Sequence, residues 1–261
     1  VKRIAPGFGG INLEDIAAPA CFEVERRLIE ELDIPVMHDD QHGTAVVVLA
    51  GLMNALRVVG KSIDEVTVVM NGAGAGGMGI ANLLLDAGVT SMKMLDSRGM
   101  IAGGRERMNP YKDALAARIN PSAETGDLAH AIKDADVFVG VSKPGLVTEE
   151  MVKSMGDKAI IFALSNPIPE IMPDIALAAG AAVVATGRSD FPNQVNNVLA
   201  FPGIFKGALE GRLKTITREM LVAAAEALSK MVPEPTAEEI MPSPFAPGVA
   251  EVVSSAVKRV V

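Results

Sequence analysis

A β-branched run that breaks into glycines and then resumes as an apolar segment constrains this chain more than any other stretch. It reads Val66-Thr-Val-Val-Met-Asn-Gly-Ala-Gly-Ala-Gly-Gly-Met-Gly79 and continues from Ile80 to Ala87. Val66–Asn71 has the continuous hydrophobicity of a strand buried on both faces. Gly72, Gly74 and Gly77 then fit G-x-G-x-x-G between a strand and a helix, the context in which that spacing carries information. The first glycine permits a tight turn, the second lets a pyrophosphate approach the backbone, and the third lets helix and strand pack closely. Gly72, Ala73, Gly74, Ala75, Gly76 and Gly77 are therefore the expected phosphate-binding loop, opening a helix whose free amides face an anion. Asp96 ends the next strand-like run, Ser91–Leu95, about 20 residues further on. A carboxylate at that spacing meets the adenosine ribose.

Asp136–Val141, Ala159–Leu164 and Ala182–Thr186 read as further buried strands. Helix-like segments lie between them, among them Pro110–Ile119, Asp127–Lys133 and Pro173–Ala179. Such alternation predicts an α/β fold: a doubly wound, Rossmann-like parallel sheet, with flanking helices at both ends of the chain. Ligands of such a sheet bind at the carboxyl ends of its strands. Residues 12–60 read as two helices, about Pro19–Leu32 and Thr44–Val59, separated by the polar segment His38-Asp-Asp-Gln-His-Gly43. Residues 201–261 read as helices interrupted by Pro233-Glu-Pro235 and Pro242-Ser-Pro244.

Composition narrows the function classes. With 261 residues, 49% of them hydrophobic, the chain can bury a sizeable core. A net charge of −8 argues against a nucleic-acid surface. The single cysteine, Cys21, rules out an internal disulfide framework and fits the reducing cytoplasm. No stretch reads as the roughly 20 apolar residues of a membrane span. The first residue is Val1 and no signal peptide is evident, so the sequence reads as processed, cleaved or cut from something longer.

Two constellations carry polar chemistry. Glu14 and Asp15 form one acidic pair, Asp39 and Asp40 another, and together they could hold a hard divalent cation such as Mg²⁺ or Mn²⁺. His38 and His42, four apart, are a weaker zinc candidate without a third ligand. Asn166 and Asn197 lie in loops that follow strands, and suit a substrate carboxylate or a nicotinamide amide.

Five segments together carry a resemblance: Gly9-Gly-Ile-Asn-Leu-Glu-Asp15, His38-Asp-Asp-Gln-His-Gly-Thr-Ala45, Asn71-Gly-Ala-Gly-Ala-Gly-Gly77, Ala163-Leu-Ser-Asn-Pro167, and the run from Gly187 to Gly203. In content and order they resemble the bacterial and archaeal malic enzymes. The resemblance implies oxidative decarboxylation of L-malate to pyruvate and CO₂, with reduction of NAD or NADP. It implies Glu14, Asp15 and Asp40 as ligands of Mg²⁺ or Mn²⁺, and Asp39 as a neighbouring acid of the catalytic network. Asn166 and Asn197 match positions at the substrate and nicotinamide end. A modest preference for NAD follows if Asp96 repels a 2′-phosphate, although Ser97 and Arg98 beside it complicate this.

The family also supplies a tyrosine acid and a lysine base from a region that precedes Gly9. Neither Tyr111 nor Lys2 matches those positions. The chain is therefore expected to be the cofactor- and metal-binding portion of such an enzyme. Residues 1–60 would be a helical segment with the ligand carboxylates, and 61–261 the dinucleotide-binding domain with its C-terminal helices. A homo-oligomer is expected, with a second chain carrying the missing region as a further possible partner, and neither nucleic acid nor membrane. Another dehydrogenase of the same fold, or a nucleotide-binding module without catalysis, stays open.

Overall fold

The computed structural model describes residues 1–260. Strand β1 (Ile11–Leu13), helix α1 (Ala20–Glu31) and strand β2 (Val36–His38) lead into the long helix α2 (Asp39–Val59). The alternating region follows: β3 (Thr67–Asn71), α3 (Ala75–Asp86), β4 (Ser91–Asp96), β5 (Gly99–Met100), α4 (Pro110–Ile119), α5 (Leu128–Ile132), β6 (Val137–Gly140), α6 (Glu149–Lys153), β7 (Ile160–Ala163), α7 (Pro173–Ala178) and β8 (Val183–Thr186). Helices α8 (Phe201–Glu210), α9 (Arg218–Ser229) and α10 (Val249–Arg259) close the chain.

The main sheet has the order β5-β4-β3-β6-β7-β8. All neighbours are parallel except the edge strand β5, which returns antiparallel to β4. From β3 the chain winds outward to β4 and β5, then crosses back to β6 and winds the other way. The crevice where the winding reverses, between β3 and β6, is where such sheets bind ligands. The register aligns that edge. Asn71 pairs with both Leu95 and Gly140, Gly140 with Ala163, and Ala163 with Thr186. The loops after five strands therefore leave from one row.

The strands are apolar on both faces because both are covered. On β6, Val137 and Val139 join one core cluster, with α2, α3 and α9, while Phe138 joins the other, with α5, α6 and α7. Phe138 and Phe162 are fully buried, and each stabilises the fold by about 2–3 kcal/mol relative to exposure.

The structure departs from the sequence reading at three places. Helix α2 begins at Asp39, so the polar segment before Thr44 is its first turn rather than a break. Acidic residues are favoured there because they face the positive end of the helix dipole. Second, residues 12–60 are not helices alone: β1 and β2 form a separate two-stranded parallel sheet, pairing Ile11 with Val36 and Leu13 with His38. Three-residue strands leave no periodicity to read. Third, α2 is long and apolar enough to cross a membrane, with a mean hydropathy of 1.5 over 18 residues. It instead packs against α3 and α9 as the core helix of this domain, with 72% of that window buried.

Candidate functional site

The glycine loop adopts the geometry its spacing predicts. Gly72 sits at φ +122°, and a Cβ there would meet the Val141 carbonyl oxygen at 2.8 Å. At Gly77 a Cβ would overlap the Gly72 carbonyl oxygen at 1.7 Å, so only glycine lets α3 start this close to β3. Gly74 differs: nothing lies within 4 Å of its Cβ position. It is the N-cap of α3, with no side chain satisfying the first amides. A cleft of about 490 Å³ opens there, lined by Gly72–Gly74, Asp96, Ser97, Asp127, Ser142 and Lys143 among others.

Asp96 is at the predicted place, at the end of β4 and in that cleft, but it does not stand free. Its Oδ1 accepts from the Arg98 amide and an Arg105 nitrogen, both at 2.9 Å. Its Oδ2 accepts from Arg105 at 2.5 Å and Lys112 at 2.6 Å. Burial pushes this carboxyl up, yet the hydrogen bonds from Arg105 and Lys112, with the Arg98 amide, outweigh that and hold it well below the usual carboxylate range. With its lone pairs engaged, Asp96 has lost the free acceptor that the ribose argument requires.

The acidic residues gather at the N-terminus of α2, beside the glycine loop. A Cβ on Gly76 would lie 3.2 Å from the Asp40 carbonyl oxygen. Asp15 holds a left-handed backbone, φ 58°, and donates its amide to Asp40 Oδ2 at 2.9 Å. Asp39 is buried; its Oδ2 accepts from Asn197 Nδ2 at 2.5 Å while its Oδ1 has no partner. Gly43 is confined by the same carboxylate, since a Cβ there would lie 1.8 Å from Asp39 Oδ1. Burial, with the negative charges of Glu14 and Asp40, pushes Asp39 up to about 7. No Lys or Arg pairs with Glu14, Asp15, Asp39 or Asp40 among the described residues.

Glu14, Asp15 and Asp40 do not converge as a finished metal centre: no group of three His, Cys, Asp or Glu among the described residues is spaced to hold an ion. Glu14 instead accepts from the Asn12 side chain at 2.8 Å. The donor set nonetheless fits a hard divalent cation. It consists of carboxylate oxygens only, pairs with no Lys or Arg among the described residues, and adjoins a buried oxygen without a hydrogen-bond partner.

Behind this group, Glu25 of α1 accepts from the His38 amide, Gln41 and His42. Burial raises its carboxyl, but His42 and the His38 amide lower it further, leaving it below its ordinary value. This network fixes the start of α2. His38 itself is fully buried; neither ring nitrogen makes a hydrogen bond, and Nε2 lies 3.7 Å from Asp40 Oδ2.

Of the two predicted asparagines, only Asn197 reaches the acidic group. Asn166 is exposed in the loop after β7, near Gly187, without a side-chain hydrogen bond among the described residues. Sequence reasoning missed Arg105 and Lys112, which saturate Asp96, and Asn193, which ties Val184 of β8 to Ala237 and Ile240. It also missed Glu170, whose signal is visible in retrospect as the one charged residue between Lys158 and Asp174.

The sequence profile described as "Malic enzyme, NAD binding domain" matches residues 41–260. The chain belongs to the malic enzyme family. It is 55% identical to the bifunctional malic/malolactic enzyme of Bacillus subtilis, an alignment covering 99% of this chain and 64% of that one. It is 53% identical to an NAD-dependent malic enzyme of Geobacillus stearothermophilus, covering 98% of this chain and 54% of the relative. The crystal structure of a malic enzyme from Pyrococcus horikoshii superposes with a TM-score of 0.96 at 48% identity, over 99% of this chain and 62% of that one. This chain thus spans between about half and two thirds of these malic enzymes, as their dinucleotide-binding portion.

Proposed function

We propose that this chain supplies the cofactor- and metal-holding part of an enzyme that converts L-malate to pyruvate and CO₂ while reducing NAD or NADP. The observation that carries this reading is the junction at the N-termini of α2 and α3. An open glycine loop for a pyrophosphate there adjoins an acidic group that pairs with no Lys or Arg among the described residues. Residues 1–60 bring the carboxylates and 61–261 the dinucleotide cleft, and the two act as one module because α2 packs on α3 and α9.

Glu14, Asp15 and Asp40 would hold Mg²⁺ or Mn²⁺, which would supply Lewis acidity for the oxidation and decarboxylation of malate. A bound nicotinamide would supply the hydride acceptor. The chain's own residues orient and hold. The open Gly74 position admits the pyrophosphate to the amides of α3. Asn197 is anchored on Asp39 and presents its remaining amide hydrogen and oxygen toward substrate or nicotinamide. Asn166, whose side chain makes no hydrogen bond among the described residues, would do the same from the β7 loop. Asp39 can carry a proton near neutrality on its unpartnered Oδ1, which makes it the candidate proton-holding residue of this chain. Because Asp96 is saturated by Arg105 and Lys112, the NAD preference suggested by the sequence loses its mechanism, and either cofactor fits.

Calorimetric titration with NAD, NADP and Mn²⁺ tests this reading, with malate or a dicarboxylate analogue present for the metal. Expected are dinucleotide binding by the wild-type chain and Mn²⁺ binding that depends on Asp40. A chain that binds neither dinucleotide, or whose Asp40→Asn variant binds Mn²⁺ as well as the wild type, would overturn the assignment.

A further inference from the structure

The loops after β6 and β7 are held together by one carboxylate that neither the glycine loop nor the acidic group uses. Glu170 is fully buried and pairs with no cation among the described residues. Its Oε1 accepts the Ser142 amide at 2.9 Å and its Oε2 the Ser165 amide at 3.0 Å. Ser142 follows the end of β6 and Ser165 the end of β7. Two main-chain bonds complete the join: Val147 donates to the Glu170 carbonyl at 3.0 Å, and Gly145 to that of Pro169 at 3.1 Å.

Room for the carboxylate depends on Gly140, where a Cβ would meet Glu170 Cδ at 2.5 Å. Burial pushes the Glu170 carboxyl up, and the Ser142 and Ser165 amides offset part of that. A buried charge is costly to keep. Only a carboxylate, however, presents an acceptor to each of two amides at once, whereas a glutamine would turn a donor toward one of them.

The two clamped loops matter to the cofactor. The Ser142 hydroxyl accepts from Asn71 Nδ2 at 3.1 Å at the end of β3, and Ser142 lines the cleft. Ser165 immediately precedes Asn166. A dinucleotide laid across the strand ends, with its adenosine toward β4, carries its nicotinamide half over β6 and β7. The geometry points to Glu170 as a positioning residue that clamps the β6 and β7 loops into the wall supporting the nicotinamide half of the cofactor. The inference rests on the dinucleotide reading above.

The test compares two ligands that differ only at that end. Calorimetry with NAD and with ADP-ribose, which lacks nicotinamide, is run on the wild type, Glu170→Gln and Gly140→Ala. Glu170→Gln leaves one buried amide facing a donor, so NAD affinity falls on the order of tenfold. ADP-ribose affinity falls by less than NAD affinity does, because Ser142 is the one clamped residue that lines the cleft at the glycine loop, while the Ser165 and Asn166 side of the clamp faces the nicotinamide half. Gly140→Ala displaces the carboxylate without removing it and shows the same split. If Glu170→Gln fails to fold, Gly140→Ala alone carries the comparison. Equal losses for both ligands, or unchanged NAD affinity in a folded variant, would overturn the clamp. A wild-type chain that bound neither ligand would overturn the dinucleotide reading, and the clamp with it.

Discussion

Two acidic sites flank the glycine loop, and they sit in opposite electrostatic states. At the end of β4, Asp96 is engaged by Arg105 and Lys112 and held well below its ordinary pKa. At the start of α2, Asp39 lies against Glu14 and Asp40 without a Lys or Arg partner and is pushed up to about 7. The residue type is the same, and burial opposes ionisation at both. What differs is where the positive charge comes from. The chain supplies it at Asp96, which makes that cluster complete and structural. At Asp39 and Asp40 no Lys or Arg supplies it among the described residues, and burial pushes down the pKa of His38, whose Nε2 lies 3.7 Å from Asp40. Perturbed carboxylates therefore separate into a finished ion cluster and a candidate reaction site only when their partners are examined.

The comparison breaks most sharply if the glycine loop can be blocked without touching either acidic site. Gly74→Val should lower dinucleotide affinity on the order of a hundredfold, through lost charge-assisted bonds to the pyrophosphate. Its melting temperature and Mn²⁺ affinity should stay near wild type, because its Cβ points into open space. Dinucleotide titration, thermal melts and Mn²⁺ binding on one preparation check this.

Exchanging the two sites comes next. Asp40→Asn should weaken Mn²⁺ binding by at least about tenfold. It should cost little stability, because it removes a repulsion from Asp39. Asp96→Asn should leave Mn²⁺ binding unchanged but destabilise the fold by about 2 kcal/mol, since Arg105 and Lys112 lose their counter-charge in a mostly buried cluster. Equal Mn²⁺ effects from both variants would erase the distinction.

The pH dependence should also differ in sign. Asp39 has a folded pKa of about 7 against an ordinary 3.8, so the folded state alone binds its proton between those values. Its contribution to stability is present at low pH and lost as pH rises from about 4 through about 7, a shift of a few degrees in melting temperature. Asp39→Asn, or saturating Mn²⁺, should flatten that part of the curve. Asp96 does the reverse: its contribution is present above 3.8 and lost only as pH falls below it. Thermal melts between pH 3 and pH 8 separate the two.

The smallest effect expected is at the cofactor's 2′ position. With Asp96 saturated, NAD and NADP affinities should lie within about tenfold of each other, less than the two contacts a free carboxylate would control. A hundredfold preference for NAD would show that Asp96 exchanges Arg105 or Lys112 for the ribose.

The five buried strands, the glycine loop and the acidic pairs were legible in the sequence because each depends on local pattern. Buried strands read as β-branched runs, G-x-G-x-x-G has one meaning between a strand and a helix, and acidic pairs stand out in a chain only 21% charged. The start of α2 was misread for an equally local reason. Gly43 looks like a helix breaker, and nothing in the sequence says that it is needed to make room for Asp39. The family, too, could be reached from five short segments in order.

Partnership was not legible. That Arg105 and Lys112 close on Asp96, that Asp15 gives its amide to Asp40, that Asn197 but not Asn166 reaches the acidic group, and that Glu170 ties two loops together all join residues that only folding brings into contact. Sequence pattern determined which groups this protein carries, because periodicity and turn chemistry act over a few residues. The tertiary structure decided which of those groups carries a counter-charge, because Coulomb and hydrogen-bond energies depend on distances that no local pattern encodes.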